Sequence, residues 1–218
     1  MAPQPLTAAG VRAARRLSRG FFQRDPITVA RALLGKLLIR RDGRILIAGR
    51  IVEDEAYLGQ EDPAAHAHAG LTARNFVLFG PPGHAYVYFI YGNHYCLNVS
   101  CQPEGQAGCV LFRAMEPVFG LAAMSRTRGL VYSPSLPPSQ LRAISSGPGR
   151  MCEALGITRL RDNNKDLTSR ESDLWLADDG FCPEDIVTTP RIGITKAAER
   201  PLRFFVRGNP FVSGKRIA

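Results

Sequence analysis

Negative charge is scarce in this chain of 218 residues: 19 Asp and Glu stand against 28 Lys and Arg, a formal net charge of +9. Such an excess favours a polyanionic partner through counterion release, although it would also serve solubility or attraction to an anionic membrane surface. Long apolar runs are missing too. None approaches the ~20 residues that cross a bilayer, so no membrane-spanning segment is expected, and the charge favours nucleic acid over a membrane surface as partner. The five cysteines form no C-x-x-C pair and leave an odd count, and no apolar secretion-signal core precedes the folded pattern. A reduced, cytoplasmic setting and buried, unreactive thiols are therefore expected. Four histidines, with His66-x-His68 as their closest spacing, do not make a metal site. G-x-S-x-G, Walker and G-x-G-x-x-G patterns are all absent, so periodicity offers no nucleophile and no nucleotide loop. No internal repeat occurs.

What is present is concentrated. Residues 85–98 hold four of the six tyrosines, alternating with apolar residues and interrupted by Gly92-Asn93. Alternation predicts half-buried strands over 84–91 and 95–101, and the Gly-Asn break predicts a tight hairpin with Tyr91 at its tip. Aromatics on a hairpin of a strongly basic protein suggest a platform for stacking flat rings such as nucleobases. Asp25-Pro26 reads as the start of a helix near 26–34, stopped by Gly35. Asp42-Gly43 reads as the turn between strands at 36–41 and 44–55. A fifth strand at 108–114, a helix at 117–126, a surface loop at 130–140 and a short helix at 148–155 follow. Strands near 173–177, 191–195 and 202–206 close the pattern of a single α+β domain. Residues 1–24 carry five arginines and no acid, so 1–19 is expected to be a flexible or marginally helical basic arm ahead of the domain at 20–218.

Five of the 19 acids fall between Glu53 and Asp62. Strand periodicity places Glu53, Glu55 and Tyr57 on one face, where clustered carboxylates repel unless donors or cations compensate. A catalytic site and an ion-pair network on an edge strand both fit that pattern. Gly147-Pro148-Gly149-Arg150 opens a helix whose free N–H groups could hold a phosphate, or is an ordinary loop-to-helix junction. The basic stretch from Arg191 through Lys196 and Arg203 to Arg207 reads either as phosphate contacts or as a solvated strand face, with Phe204-Phe205 in the core.

Several ordered blocks resemble one family. They are Gly49-Arg50-Ile51-Val52-Glu53-Asp54-Glu55-Ala56-Tyr57-Leu58-Gly59, then Glu61-Asp62, His66 and Pro82-Gly83. Tyr86-Val87-Tyr88-Phe89-Ile90-Tyr91-Gly92, Cys96-Leu97-Asn98, the run from Val110 to Pro117, Ser146-Gly147-Pro148 and the run from Arg200 to Gly208 complete the set. Together they resemble the alkyladenine (3-methyladenine) DNA glycosylases. The resemblance implies a curved, mostly antiparallel sheet flanked by helices, with a protruding hairpin that inserts into DNA. It implies a monofunctional base-excision-repair enzyme that flips alkylated or deaminated purines out of duplex DNA. The class comprises 3-methyladenine, 7-methylguanine, hypoxanthine and ethenoadenine.

The resemblance also implies roles: Glu55 as base for the attacking water, Arg113 as its partner, and Tyr91 as the wedge filling the gap in the stack. Tyr57, His66, Tyr88, Asn98 and Leu111 would line the base pocket. From the helix start at Arg150 and the basic stretch, apart from the resemblance, Arg150, Arg191, Lys196 and Arg203 are the expected phosphate contacts. Double-stranded DNA is the implied partner. No cofactor, metal or obligate protein partner is implied, and a nucleoid-associated cytoplasmic monomer fits. The alternative from a different class is a catalytically silent protein that binds damaged DNA on the same fold.

Overall fold

A computed structural model describes residues 5–90 and 92–214. Its first element is α1 (Ala8–Ala13), capped by the Thr7 side chain, which accepts from Gly10 N–H. β1 (Arg15–Arg16) and α2 (Arg19–Phe22) follow. The segment expected to be a flexible arm is therefore folded from Leu6 onward. Leu6 N–H donates to Val118 O, Val11 and Phe22 are buried, and β1 pairs with a strand near residue 177. Three of the five arginines that suggested a flexible basic arm, Arg15, Arg16 and Arg19, have distant partners. Arg19 pairs with Asp166 at 2.6 Å, and Arg16 lies over the Trp175 ring at 4.5 Å.

α3 (Pro26–Leu33) begins as expected, with Asp25 accepting from Thr28 N–H at 2.9 Å. β2 (Leu37–Asp42) and β3 (Ile45–Tyr57) pair antiparallel through the Asp42-Gly43 turn. β4 (Ala85–Ile90) and β5 (His94–Ser100) pair antiparallel from Ala85↔Val99 to Ile90↔His94. Gly92 takes φ +73° in their connection, a conformation that favours glycine. Tyr91, the expected wedge, lies outside the described residues.

β6 (Cys109–Phe119) runs further than the sequence suggested, and α4 (Leu121–Thr127) starts later than the helix predicted from 117. Pro117 sits opposite Gly49 at a bulge, where its missing N–H does not break the ladder. α5 (Pro138–Ser145) occupies the end of what was read as a loop. α6 (Pro148–Ala154) matches its expected bounds closely, and α7 (Arg159–Asp162) adds one further turn. β7 (Leu174–Asp178), β8 (Ile186–Thr189) and β9 (Arg203–Val206) complete the chain. No strand forms at 191–195, because Pro190 ends β8 and residues 191–200 turn across the site instead.

These strands form one nine-stranded sheet in the order β1-β7-β2-β3-β6-β5-β4, with β9 joined to β3 and β8 joined to β9. Every pairing is antiparallel, giving an α+β fold with a curled sheet flanked by helices. β3 is the hub. Its first half pairs with β2, its second half with β9, and most of its length with β6 across three register shifts. The main core packs Phe22, Leu33, Phe112, Phe204 and Phe211 against the sheet. No described helix is long and apolar enough to cross a membrane.

Candidate active site

One register row crosses four strands: Glu55 on β3, Leu111 on β6, Asn98 on β5 and Tyr86 on β4. Side chains in such a row share a face, and the i±2 neighbours Glu53, Tyr57, Arg113 and Tyr88 extend it. The sheet thus brings together residues that lie as much as 60 positions apart. Two adjoining cavities open beside it. One of about 310 Å³ is lined by Tyr57, Tyr88, Leu111, Arg113, Arg150 and Ile192, among others. One of about 180 Å³ is lined by Tyr57, His66, Tyr86, Tyr88 and Asn98, among others. Tyr57 and Tyr88 face both.

Glu55 is fully buried behind this lining. Its Oε1 lies 3.1 Å from Arg113 Nη1 and accepts from Ile192 N–H at 2.8 Å, while Oε2 accepts from the Tyr57 hydroxyl at 3.0 Å. Each of those partners lines the larger cavity, so the carboxylate is approached through them. Burial pushes the Glu55 carboxyl above its ordinary range, outweighing the opposing pull of Arg113, the Ile192 N–H and Tyr57. Burial also opposes the Arg113 charge, but Glu55 and Glu53 outweigh it and hold the guanidinium protonated. The Tyr57 hydroxyl is pushed well up by burial and by Glu55, so it remains a donor.

Glu53 is built differently. Its Oε1 accepts from Arg113 Nε at 2.9 Å, Arg203 Nε at 2.7 Å and Ser213 Oγ at 2.9 Å, and its Oε2 accepts from Ser213 N–H. It fixes Arg113 from behind while Arg113 reaches Glu55. The chain after β9 is tied to the site by the same carboxylate.

His66 is held by its loop. Buried Asn75 donates to His66 O and Gly70 O, both at 2.9 Å, and Asp62 accepts from Leu58 N–H and Ala64 N–H. Gly59 starts that loop at φ +78° against the Ala107 carbonyl, where any Cβ would collide. The His66 ring stands edge-on to Tyr88 with centroids 4.6 Å apart, and its Nδ1 lies 2.9 Å from the Tyr86 hydroxyl. Burial, with Arg74 nearby, pulls the imidazole down to about 4, so it is neutral at physiological pH. Asn98 donates to Tyr86 O at 3.1 Å, which fixes its amide against the smaller cavity.

Two expected phosphate contacts are corrected. Arg191 is buried, with its guanidinium bonded to both oxygens of Asp62 and to Ala56 O. Arg203 is buried on Glu53, Thr189 and Ser213. Neither is available to DNA, and neither belongs to a solvated strand face. Arg150 and Lys196 are exposed, and Arg150 lines the larger cavity at the start of α6. His94, at the start of β5, donates from Nδ1 to Glu153 Oε1 at 2.9 Å and rests over Gly149. That contact ties the β4–β5 connection to α6.

Sequence reasoning missed Glu53 as an organiser, the Ile192 N–H, Tyr86 and Arg74. Tyr86 carried a usable signal, since it shares the face of Tyr88 two residues away. The others depend on contacts between distant segments. Among the described residues no group of three or more His, Cys, Asp or Glu could hold a metal ion.

The family model for methylpurine-DNA glycosylases matches residues 20–210. The chain belongs to that family. Among curated relatives, a Koribacter versatilis protein named "Putative 3-methyladenine DNA glycosylase" is 64% identical over 200 residues, covering 92% of this chain and 94% of the relative. Proteins of the same name from Methanoculleus marisnigri and Chlorobaculum parvum are 48% and 43% identical. They cover 90% and 93% of this chain, and 98% and 93% of their own lengths. This glycosylase is a monofunctional hydrolase of base-excision repair whose substrate is damaged DNA.

Proposed function

We propose that this glycosylase excises alkylated or deaminated purines, of the 3-methyladenine, 7-methylguanine, hypoxanthine and ethenoadenine class, from duplex DNA. Glu55 acts as the base for the attacking water and leaves an abasic site. The observation that carries this reading is the buried Glu55, held by Arg113, Tyr57 and the Ile192 N–H at the back of a tyrosine-lined cavity.

Cleavage of the N-glycosidic bond builds positive charge on the sugar. A carboxylate at that point both stabilises the charge and takes a proton from water, an acid–base contribution typically worth ~10²–10⁴-fold. Burial raises the Glu55 carboxyl towards the pH at which it works, as a general base requires, and Arg113 keeps it ionised. The purine enters between Tyr57 on one side and His66 with Tyr88 on the other. Neutral His66 can report on the position-6 substituent, and Asn98 crowds the place of a guanine 2-amino group. Leu111 supplies the apolar floor. Tyr91 takes the vacated place in the base stack. Exposed Arg150 and Lys196 contact phosphates, and the protein works as a monomer on one flipped nucleotide.

Single-turnover release from short duplexes, each with one lesion, tests the reading. Wild type should release hypoxanthine, ethenoadenine or 3-methyladenine, and Glu55→Gln should bind lesion DNA without releasing base. Tight lesion binding without release by wild type would instead indicate a damage-recognition protein.

A further inference from the structure

The smaller cavity has one cationic side chain in its lining, Arg74. Three other arginines beside the site are paired, Arg113 with Glu53 and Glu55, Arg191 with Asp62 and Arg203 with Glu53, while exposed Arg150 lines the adjoining larger cavity. No carboxylate lies within ion-pair distance of Arg74 among the described residues, and its guanidinium sits 5.9 Å from the Tyr88 ring centroid. Its backbone is held by the next residue, buried Asn75, whose side chain bonds His66 O, Gly70 O and Thr72 N–H. The charge therefore stands over the same aromatic group that would clasp a purine.

That charge already acts within the cavity. After burial it is the second cause of the depressed His66 imidazole, and it opposes the upward push of burial on the Tyr86 hydroxyl. A positively charged ring in this space would meet the same repulsion as a proton on His66. Tyrosine faces by themselves favour cationic rings, and the two effects oppose each other.

We infer that Arg74 is a specificity-determining residue that biases the base pocket against ring-cationic N-alkylpurines and towards neutral purines bearing a hydrogen-bond acceptor. The inference rests on the proposed excision of purines at this site. A guanidinium without a carboxylate partner can offer N–H donors to a ring carbonyl or nitrogen, while its charge raises the cost of a cation in the pocket.

The test is single-turnover excision from matched duplexes carrying hypoxanthine (neutral) or 7-methylguanine (cationic), with wild type, Arg74→Gln and Arg74→Lys. Taking the ratio of the two rates removes any general loss of DNA affinity. Arg74→Gln should lower the hypoxanthine to 7-methylguanine ratio roughly fivefold, with a smaller change at high salt, as expected for a screened charge several ångströms away. Arg74→Lys, which keeps the charge, should stay within about twofold of wild type. An unchanged ratio in Arg74→Gln, or an equal fall in Arg74→Lys, overturns the electrostatic role while leaving excision intact. Release of neither base by wild type overturns the excision reading and this inference with it.

Discussion

Glu53 and Glu55 lie on one face of β3 and Asp54 on the other, and the two faces treat a carboxylate in opposite ways. On the site face, Glu53 and Glu55 are met by Arg113, Arg203, Ser213, Tyr57 and the Ile192 N–H. On the core face, Asp54 lies opposite Phe112 and Phe204 in the strand register, and neither of its oxygens has a hydrogen-bond partner among the described residues. Burial, reinforced by Glu53 and Glu55, pushes the Asp54 carboxyl well above its ordinary range. Adjacent residues in one strand thus hold a network-bound carboxylate, a cavity-side carboxylate and a core-facing carboxyl that burial pushes well up. Proximity in sequence says little about the role of an acid; the face and its donors decide it.

The comparison can be broken most forcefully at Glu55. Glu55→Gln should cost about 10²–10⁴-fold in single-turnover excision while thermal unfolding moves little, because the amide keeps the volume and one oxygen. Glu53→Gln should act mainly on folding. It leaves Arg113 and Arg203 buried against a neutral group, an arrangement that typically costs ~3–5 kcal/mol, readable by urea unfolding. Excision would fall too, because Arg113 loses its anchor.

Asp54→Val should do the reverse and stabilise the fold by about 2 kcal/mol at neutral pH, since it removes an unpartnered polar group from a hydrocarbon setting. The sign follows from linkage. A carboxyl whose folded pKa is raised binds more protons folded than unfolded, so it costs stability once pH exceeds its unfolded value of ~3.9. The gain from Asp54→Val should therefore shrink as pH falls towards 4. His66 runs the other way. Its folded imidazole titrates near 4, so its contribution is full above its unfolded value of ~6.5 and is lost as pH falls through that window. Thermal unfolding of His66→Gln should be less acid-sensitive than wild type between those limits.

The smallest expected effect is at Tyr57. Removing the hydroxyl in Tyr57→Phe takes one donor from Glu55 and should move the acid limb of the excision profile to higher pH by less than one unit. An unmoved limb would mean that the Tyr57 hydroxyl does not tune Glu55.

Local chemistry made a large part of this fold legible. Asp25-Pro26, Asp42-Gly43 and the alternation around Tyr86 and Tyr88 each encode their element within a few residues, and the structure places α3, the β2–β3 pair and the β4–β5 pair there. What failed depended on partners far along the chain. Arg16 and Arg19 signalled a loose arm because Trp175 and Asp166 lie some 150 positions away. Arg191 and Arg203 read as DNA-facing for the same reason, since Asp62 and Glu53 neutralise them only in the folded state. Periodicity grouped Glu53, Glu55 and Tyr57 on one face, but left a catalytic site and an ion-pair network as equal readings; the structure contains the network. The roles of His66, Asn98 and Leu111 came from family resemblance, and the sheet register then showed how Asn98 and Leu111 come to stand in line with Glu55.

The most direct measurement compares hypoxanthine release by Glu55→Gln and Asp54→Val under single-turnover conditions, at temperatures where both are fully folded. Glu55→Gln should bind the duplex and release essentially no base, whereas Asp54→Val should release it at the wild-type rate. Near-normal release by Glu55→Gln, or its loss in Asp54→Val, would contradict the assignment of the chemistry to the site face of β3.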